Sequence, residues 1–239
     1  FISGQNYPVC GLANINLGFR YGRDEIFVIN DNQRISLGPV KWPIFDFRFS
    51  QGLDRLIGEI QYQRYQMSVY HKLNLGLLGV SRYELRTGMV RGVVPFPLLE
   101  NHIGNETFFY TTAAFNQMNI AEFASDRFLS LKYGHSFEGF GFNQIPLIKK
   151  LKWRAVGNAN LLWGSVSDKN LFVVPEFDEN GTQIPAFGFL DPSKPYVELG
   201  YGIENIFKFF RVDFFHRITY LDNPGARPFG VKVSAQVIL

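Results

Sequence analysis

The sequence predicts an all-β fold, an antiparallel transmembrane β-barrel of outer-membrane type, and three observations carry that prediction. Long runs alternate between apolar and polar residues with a period of two, the period of a strand. Within those runs every Asp, Glu, Lys and Arg falls on one face, whereas the opposite face carries His135 and His216 but no acidic or basic charge. The apolar face of the clearest run, Lys152 to Trp163, is bracketed by Trp153 and Trp163. At ~3.3 Å per residue and a tilt of ~40°, those indoles stand roughly 25 Å apart along a membrane normal, the height of the apolar band on an outer-membrane barrel.

The runs follow in chain order. Ala13, Ile15, Leu17, Phe19 and Tyr21 alternate with small or polar neighbours, and Phe45, Phe47 and Phe49 do the same. Between Glu59 and Lys72 the apolar parity holds at Ile60 and Tyr62, then slips to Tyr65, Met67, Val69 and His71. A one-residue slip exchanges the faces, so a β-bulge is expected near Gln63-Arg64, with a hairpin there as the alternative. Further runs cover Arg82–Val90, Phe128–Phe137, Tyr196–Glu204, Phe210–Thr219 and Val231–Leu239. Glu25–Asn30, Arg34–Val40 and Asn105–Thr111 are weaker strand candidates, giving about nine to twelve strands in all. Such long strands with large aliphatic and aromatic residues on one face are unusual in a soluble sandwich, where strands average about five or six residues. A charge on a lipid-facing position costs roughly 2–4 kcal/mol at mid-membrane, which enforces this segregation.

The faces assign residues. Expected to face a lumen are Arg20, Asp46, Arg48, Arg82, Glu84, Arg86, Lys132, Lys152, Arg154, Glu198, Glu204, Arg211, Asp213, Arg217 and Lys232. Expected to face lipid are Leu129, Leu131, Tyr133, Trp153, Leu161, Trp163, Val197, Leu199, Val212, Phe214, Val231, Val233 and Val237. The lumenal charges read as salt-bridge ladders that stiffen and plug a barrel or as the wall of a solute path. The final strand, with Val231, Val233, Ala235, Val237 and Leu239 on one face, resembles an outer-membrane assembly signal, although Leu239 stands where Phe is usual.

Connections alternate in length. Asn205–Lys208 and Asp222-Asn223-Pro224-Gly225 are tight turns. Long loops span 92–125, with a short helix expected over Thr112–Ala124, and 165–195. With Leu239 at the periplasmic side, both long loops are extracellular and the Gly139–Lys150 segment is periplasmic.

Composition narrows the functional classes. Hydrophobic residues make up 46% of the 239, which excludes a disordered chain, and aromatics make up 16%, with 25 Phe, ordinary for a barrel with interfacial girdles. A net charge of +3 gives no basic arm for nucleic acid. Lys149-Lys150-Leu151-Lys152 reads as a surface run that caps a strand. The single cysteine, Cys10, allows no internal disulfide. The chain opens Phe1-Ile2-Ser3 with neither Met nor a signal peptide, so the expectation is a mature chain or the C-terminal piece of a longer one.

Catalytic and metal chemistry find no support. Gly134-His135-Ser136-Phe137-Glu138 misses a nucleophile elbow at its fifth position and lies mid-strand. His71, His102, His135 and His216 lack metal-ligand spacing. Asp178-Glu179-Asn180-Gly181 lacks a full oxygen cage for calcium. No catalytic residue, metal or cofactor is therefore assigned.

Several motifs together resemble a family. Pro95-Phe96-Pro97-Leu98-Leu99, Gly104-Asn105-Glu106-Thr107, Phe115-Asn116-Gln117-Met118-Asn119, Ser125-Asp126-Arg127-Phe128, Ile145 through Arg154, Gly202 through Lys208 and Tyr220 through Pro224 are similar to segments of a Bacteroidota outer-membrane family. Its members carry a carboxypeptidase-regulatory-like domain followed by a C-terminal domain of unknown function. The resemblance implies that residues 1–239 are that C-terminal barrel portion, without catalytic residues. A fainter similarity links Gly200-Tyr201-Gly202-Ile203 and Phe210–Phe214 to the closing strands of the BamA/TamA insertase superfamily, whereas Val90-Arg91-Gly92 matches that group's Arg-Gly motif in letters alone. The expected function is a non-enzymatic transport, assembly or scaffold component of the bacterial outer membrane. Its expected partners are outer-membrane lipid, lipopolysaccharide, other outer-membrane or periplasmic proteins and the assembly machinery. A passive solute channel and a soluble all-β binding domain are the alternatives.

Overall fold

The computed structural model describes residues 11–30, 33–53, 60–171 and 188–235. Period-two patterning produces one large antiparallel sheet of nine strands. Its members are β1 (Asn14–Tyr21), β4 (Ile44–Gly52), β5 (Gln63–Asn74), β6 (Val80–Arg91), β9 (Arg127–Ser136), β10 (Arg154–Ser165), β12 (Tyr196–Ile206), β13 (Phe210–Arg217) and β14 (Phe229–Ala235), in that spatial order. Strands β2 (Glu25–Asn30) and β3 (Gln33–Pro39) form a separate hairpin inserted between β1 and β4. A small sheet joins β7 (Glu100–Asn101), β8 (Phe123–Ser125) and β11 (Gly188–Phe189). Two short helices, α1 (Pro146–Leu151) and α2 (Asp168–Leu171), lie in connections. Among the described residues β1 and β14 do not pair, so the sheet is open there.

The register turns alternation within strands into continuous rows across them. Tyr21, Phe45, Val69, Leu85, Leu131, Leu161 and Val197 are successive cross-strand partners on one face. Phe19, Phe47, Met67, Thr87, Leu129 and Trp163 form the neighbouring row. Most of these side chains are exposed, and no other described segment packs over the rows as a layer. On the opposite face Glu84, Lys132, Asn160, Glu198 and Arg217 are successive partners. That face is covered by residues 92–125, whose Phe115, Met118 and Phe123 pack with Phe128, Leu162, Tyr196 and Tyr220 in the main core. Each such fully buried side chain contributes roughly 1.5–3 kcal/mol relative to exposure. A second cluster joins Tyr62, Val90, Val94, Leu99 and Ala124.

Several local expectations need correction. No bulge or hairpin lies at Gln63-Arg64, because β5 starts at Gln63 and pairs without a register shift. Ile60 and Tyr62 belong to the segment before the strand, and Tyr62 enters the second core while its carbonyl accepts the Gly52 N–H at 2.8 Å. The register shifts that do occur lie between Ile203 and Ile206 and between Ile26 and Phe27. Thr112–Ala124 forms no helix, since its backbone groups turn to side chains of the sheet. Asn105–Thr111 is likewise not a strand but makes an isolated bridge at Phe109 to Val233. Lys152 does not belong to a strand face: it ends α1 in the left-handed conformation, φ +56°, and is exposed. Val237 and Leu239 lie outside the described residues, as do Asp178–Gly181 and Cys10.

Candidate functional site

Residues 92–125 pack against the polar face of the sheet as a plug segment, and the buried charges of that face hold it. Glu198 on β12 is fully buried. Its carboxylate accepts the backbone N–H groups of Asn116 at 2.7 Å and Gln117 at 2.8 Å, the Asn160 amide at 2.7 Å and the Tyr196 hydroxyl at 3.0 Å. Among the described residues no cation lies within ion-pair distance of it, so these four donors alone replace the water lost on burial. Asn116 locks the plug's own turn, donating to the Thr111 carbonyl at 3.0 Å and accepting from Asn105 at 3.0 Å.

Cations of the sheet also reach into the plug. Arg217 on β13 grips Glu122 in a bidentate pair at 2.6 and 2.8 Å, and also donates to the Tyr220 carbonyl at 2.6 Å. Lys232 on β14 donates to the carbonyls of Asn105 at 2.9 Å and Thr107 at 2.5 Å. Lys132 on β9 donates to the carbonyls of Thr112 at 3.2 Å and Ala113 at 2.5 Å. The plug also adds to the edge of the sheet: the Val233 N–H donates to the Phe108 carbonyl and the Tyr110 N–H to the Val233 carbonyl, both at 2.8 Å. At the plug's far end Asp126 accepts from the Ser167 N–H at 2.9 Å and the Asn170 amide at 3.0 Å, while Asn170 accepts the Val94 N–H at 3.1 Å.

Beside the plug lies a polar network. Arg211 grips Asp213 at 2.6 and 2.7 Å, Asn158 donates to Asp213 at 2.9 Å, and the Arg211 guanidinium lies over the Tyr110 ring at 4.4 Å. Glu204 lies 3.8 Å from Arg211 and accepts the Ser136 hydroxyl. Between this network, β6 and Tyr110–Thr112 opens a cleft of about 620 Å³, to which Arg82, Glu84, Lys132 and Arg154 contribute. A smaller cleft of about 260 Å³ lies between Arg20, Asp46, Arg48, Gln66, Ser68 and Arg86. Arg20 pairs with Asp46 at 2.8 Å and Arg86 with Glu100 at 3.4 Å.

The charged positions singled out from the sequence thus divide. Glu198, Glu204, Arg211, Asp213, Arg217 and Lys232 are buried under or beside the plug. Arg82, Glu84, Lys132 and Arg154 line the larger cleft. Arg20, Asp46, Arg48 and Arg86 line the smaller one, where Arg86 meets Glu100 of the plug. On the other face Leu129, Tyr133, Trp163, Leu199 and Val231 are exposed, and Leu131, Leu161, Val197, Val212, Phe214 and Val233 are half-buried among their neighbours. Trp153 is half-buried just before β10.

His135 points to the apolar face and meets the Ser81 hydroxyl at 2.7 Å and the Leu78 carbonyl at 2.9 Å, with no carboxylate behind it, while Ser136 points to the opposite face. Among the described residues no group of three His, Cys, Asp or Glu could hold a metal. His102, buried in the plug against Ser125 at 3.0 Å, has its pKa lowered to about 3 by burial, with Arg86 and Lys132 adding repulsion. The plug contacts themselves were not assigned from sequence. Their signal was the presence of Phe115, Met118 and Phe123 among Asn and Gln in a connection that a solvent-exposed loop would not fill with large apolar residues.

These features define an all-β domain whose sheet leaves one apolar face bare and packs the other with its own inserted segment. The chain belongs to the family of unknown function DUF5686, matching its C-terminal domain over residues 6–170. A comparison with curated proteins returns no match.

Proposed function

We propose that the chain is the membrane-embedded β-barrel portion of a bacterial outer-membrane protein, closed by strands beyond the nine described here. It serves as a non-enzymatic transport, assembly or scaffold component, in contact with outer-membrane lipid and lipopolysaccharide. The observation that carries this reading is the row from Tyr21 to Val197, seven cross-strand neighbours without a charged group, left uncovered by any other described segment while charges crowd the other face. A soluble protein rarely exposes an apolar patch of that extent, whereas lipid requires one. A periplasmic domain before the barrel is part of this proposal, and the tight connections Leu75–Gly79 and Phe207–Phe209, at the end of the sheet where β14 finishes, suit the periplasmic side. A plugged interior favours a structural or gated component over an open pore. The cleft of about 620 Å³ supports the second reading, a solute path.

Fractionation of cells expressing the full-length protein tests the first reading: recovery in the outer membrane, extractable only with detergent, is expected, and recovery in the soluble fraction refutes it. Planar-bilayer recording separates the two: the plugged barrel gives no steady current, and a persistent ohmic conductance establishes the channel.

A further inference from the structure

The lysine run set aside in the sequence has neighbours. Three connections lie side by side along one end of the sheet: Leu75–Gly79 between β5 and β6, Phe137–Trp153 between β9 and β10, and Phe207–Phe209 between β12 and β13. Each projects large apolar side chains outward. Leu77 is 92% exposed and Phe207 78%, and Phe140, Ile145, Leu151 and Phe209 are exposed beside them. Among these side chains stand Lys149, Lys150, Lys152 and Lys208, all exposed and none in an ion pair among the described residues. The Asn205 amide donates to the Lys152 carbonyl at 2.7 Å and ties the end of α1 to the β12–β13 turn, which brings the backbones of the four lysines onto one stretch of rim. Acidic groups there are few: Glu138 lies at the end of β9, and Glu204 is buried and engaged by Ser136 and Arg211.

We propose that this rim binds the headgroups of anionic phospholipid. The inference rests on the lipid-facing reading of the bare face. Two features favour a lipid surface over a protein partner. The apolar side chains are spread along three separate connections. The cations are lysines, whose long stems lie along apolar surface while the ammonium reaches phosphate. Trp153, adjacent to Lys152 at the margin of the bare face, stands where an interfacial indole belongs. A lysine at an anionic leaflet strengthens binding roughly fivefold.

The test uses the full-length protein inserted into phosphatidylcholine vesicles mixed with phosphatidylglycerol. A Trp42→Phe, Trp163→Phe background leaves Trp153 as the reporter in this domain, and bromine is placed on one lipid or the other to quench it. Brominated phosphatidylglycerol should quench Trp153 at severalfold lower mole fraction than brominated phosphatidylcholine. The preference should vanish in K149Q/K150Q/K152Q/K208Q and fall with added salt. Should the fourfold variant fail to insert, the salt series on the parent protein decides. Equal quenching by the two lipids, the outcome expected if the rim meets an acidic protein instead, overturns the proposal while leaving the lipid-facing reading intact. A preference that survives both the substitutions and high salt overturns the role of the lysines. Absence of quenching by either lipid refutes the lipid-facing reading itself.

Discussion

On the proposal that the bare face of β10 meets lipid, arginine placed along it should destabilise the protein according to its depth. Outward positions on this strand run Ala155, Gly157, Ala159, Leu161 and Trp163. Strand rise and tilt give ~2.5 Å of depth per residue, so Ala159 lies roughly 10 Å from the level of Trp163 and near the middle of the band, and Leu161 lies roughly 5 Å from it. On the depth scale for lipid-exposed arginine, Ala159→Arg should cost about 2–4 kcal/mol and Trp163→Arg about 0–1 beyond its lost packing, with Leu161→Arg between them. Ser68→Arg, which points into the smaller polar cleft between its cross-strand partners Asp46 and Arg86, is the control and should cost less than Ala159→Arg, because water and Asp46 meet its charge there. Asn160 does not serve as a control, because its amide is committed to Glu198. The assay is equilibrium unfolding by guanidinium from phosphatidylcholine vesicles, followed by tryptophan fluorescence. A flat profile across the three outward positions, or a cost at Ser68 equal to that at Ala159, would refute the assignment of the faces.

Three further outcomes follow from the plug and the turns. Arg217→Met strands the buried Glu122 carboxylate and should cost about 3–5 kcal/mol, much of which Glu122→Gln in the same chain should restore in a double-mutant cycle. His102, with its folded pKa lowered to about 3, stays neutral while the unfolded chain takes up a proton near pH 6.5. Its contribution is therefore complete above that pH and is lost on acidification towards pH 3, by about 2 kcal/mol between pH 6.5 and 5, and His102→Gln should remove that part of the pH slope in unfolding titrations. Gly79→Ala should destabilise more than Gly76→Ala. At Gly79, φ +99°, a Cβ would meet the Ser136 carbonyl oxygen at 2.0 Å, whereas at Gly76, φ +62°, nothing lies within 4 Å and the cost should stay near 1 kcal/mol, as thermal unfolding can compare.

The strands and their two faces were legible because alternation is a local signal: Leu131, Leu161 and Val197 each sit in a run that declares its period. Which residues stand opposite one another was less so, since register follows from pairing between distant segments. The misplaced bulge shows the limit. Tyr62 carries the right residue type for a strand, yet it belongs to a core built with Val94 and Leu99, about thirty residues away in sequence. The plug was illegible as a structure because its backbone groups are met by side chains of β9, β12 and β14 and by the edge of β14, giving no period of its own. The charges that hold it were visible as a class, but Glu198 and Arg217 look alike in the sequence. Only the fold makes one a cradle for backbone N–H groups and the other a clamp on Glu122.

The central claim is tested most directly by a nitroxide scan of β10 in the full-length protein, with Cys10 and every other native cysteine replaced by Ser and labels placed in turn from 155 to 163 in lipid vesicles. Labels at 155, 157, 159, 161 and 163 should collide readily with oxygen dissolved in the hydrocarbon and hardly at all with a water-soluble nickel chelate, with the oxygen excess greatest near 159. Labels at those positions that meet the nickel chelate as freely as labels on an exposed turn would contradict the account.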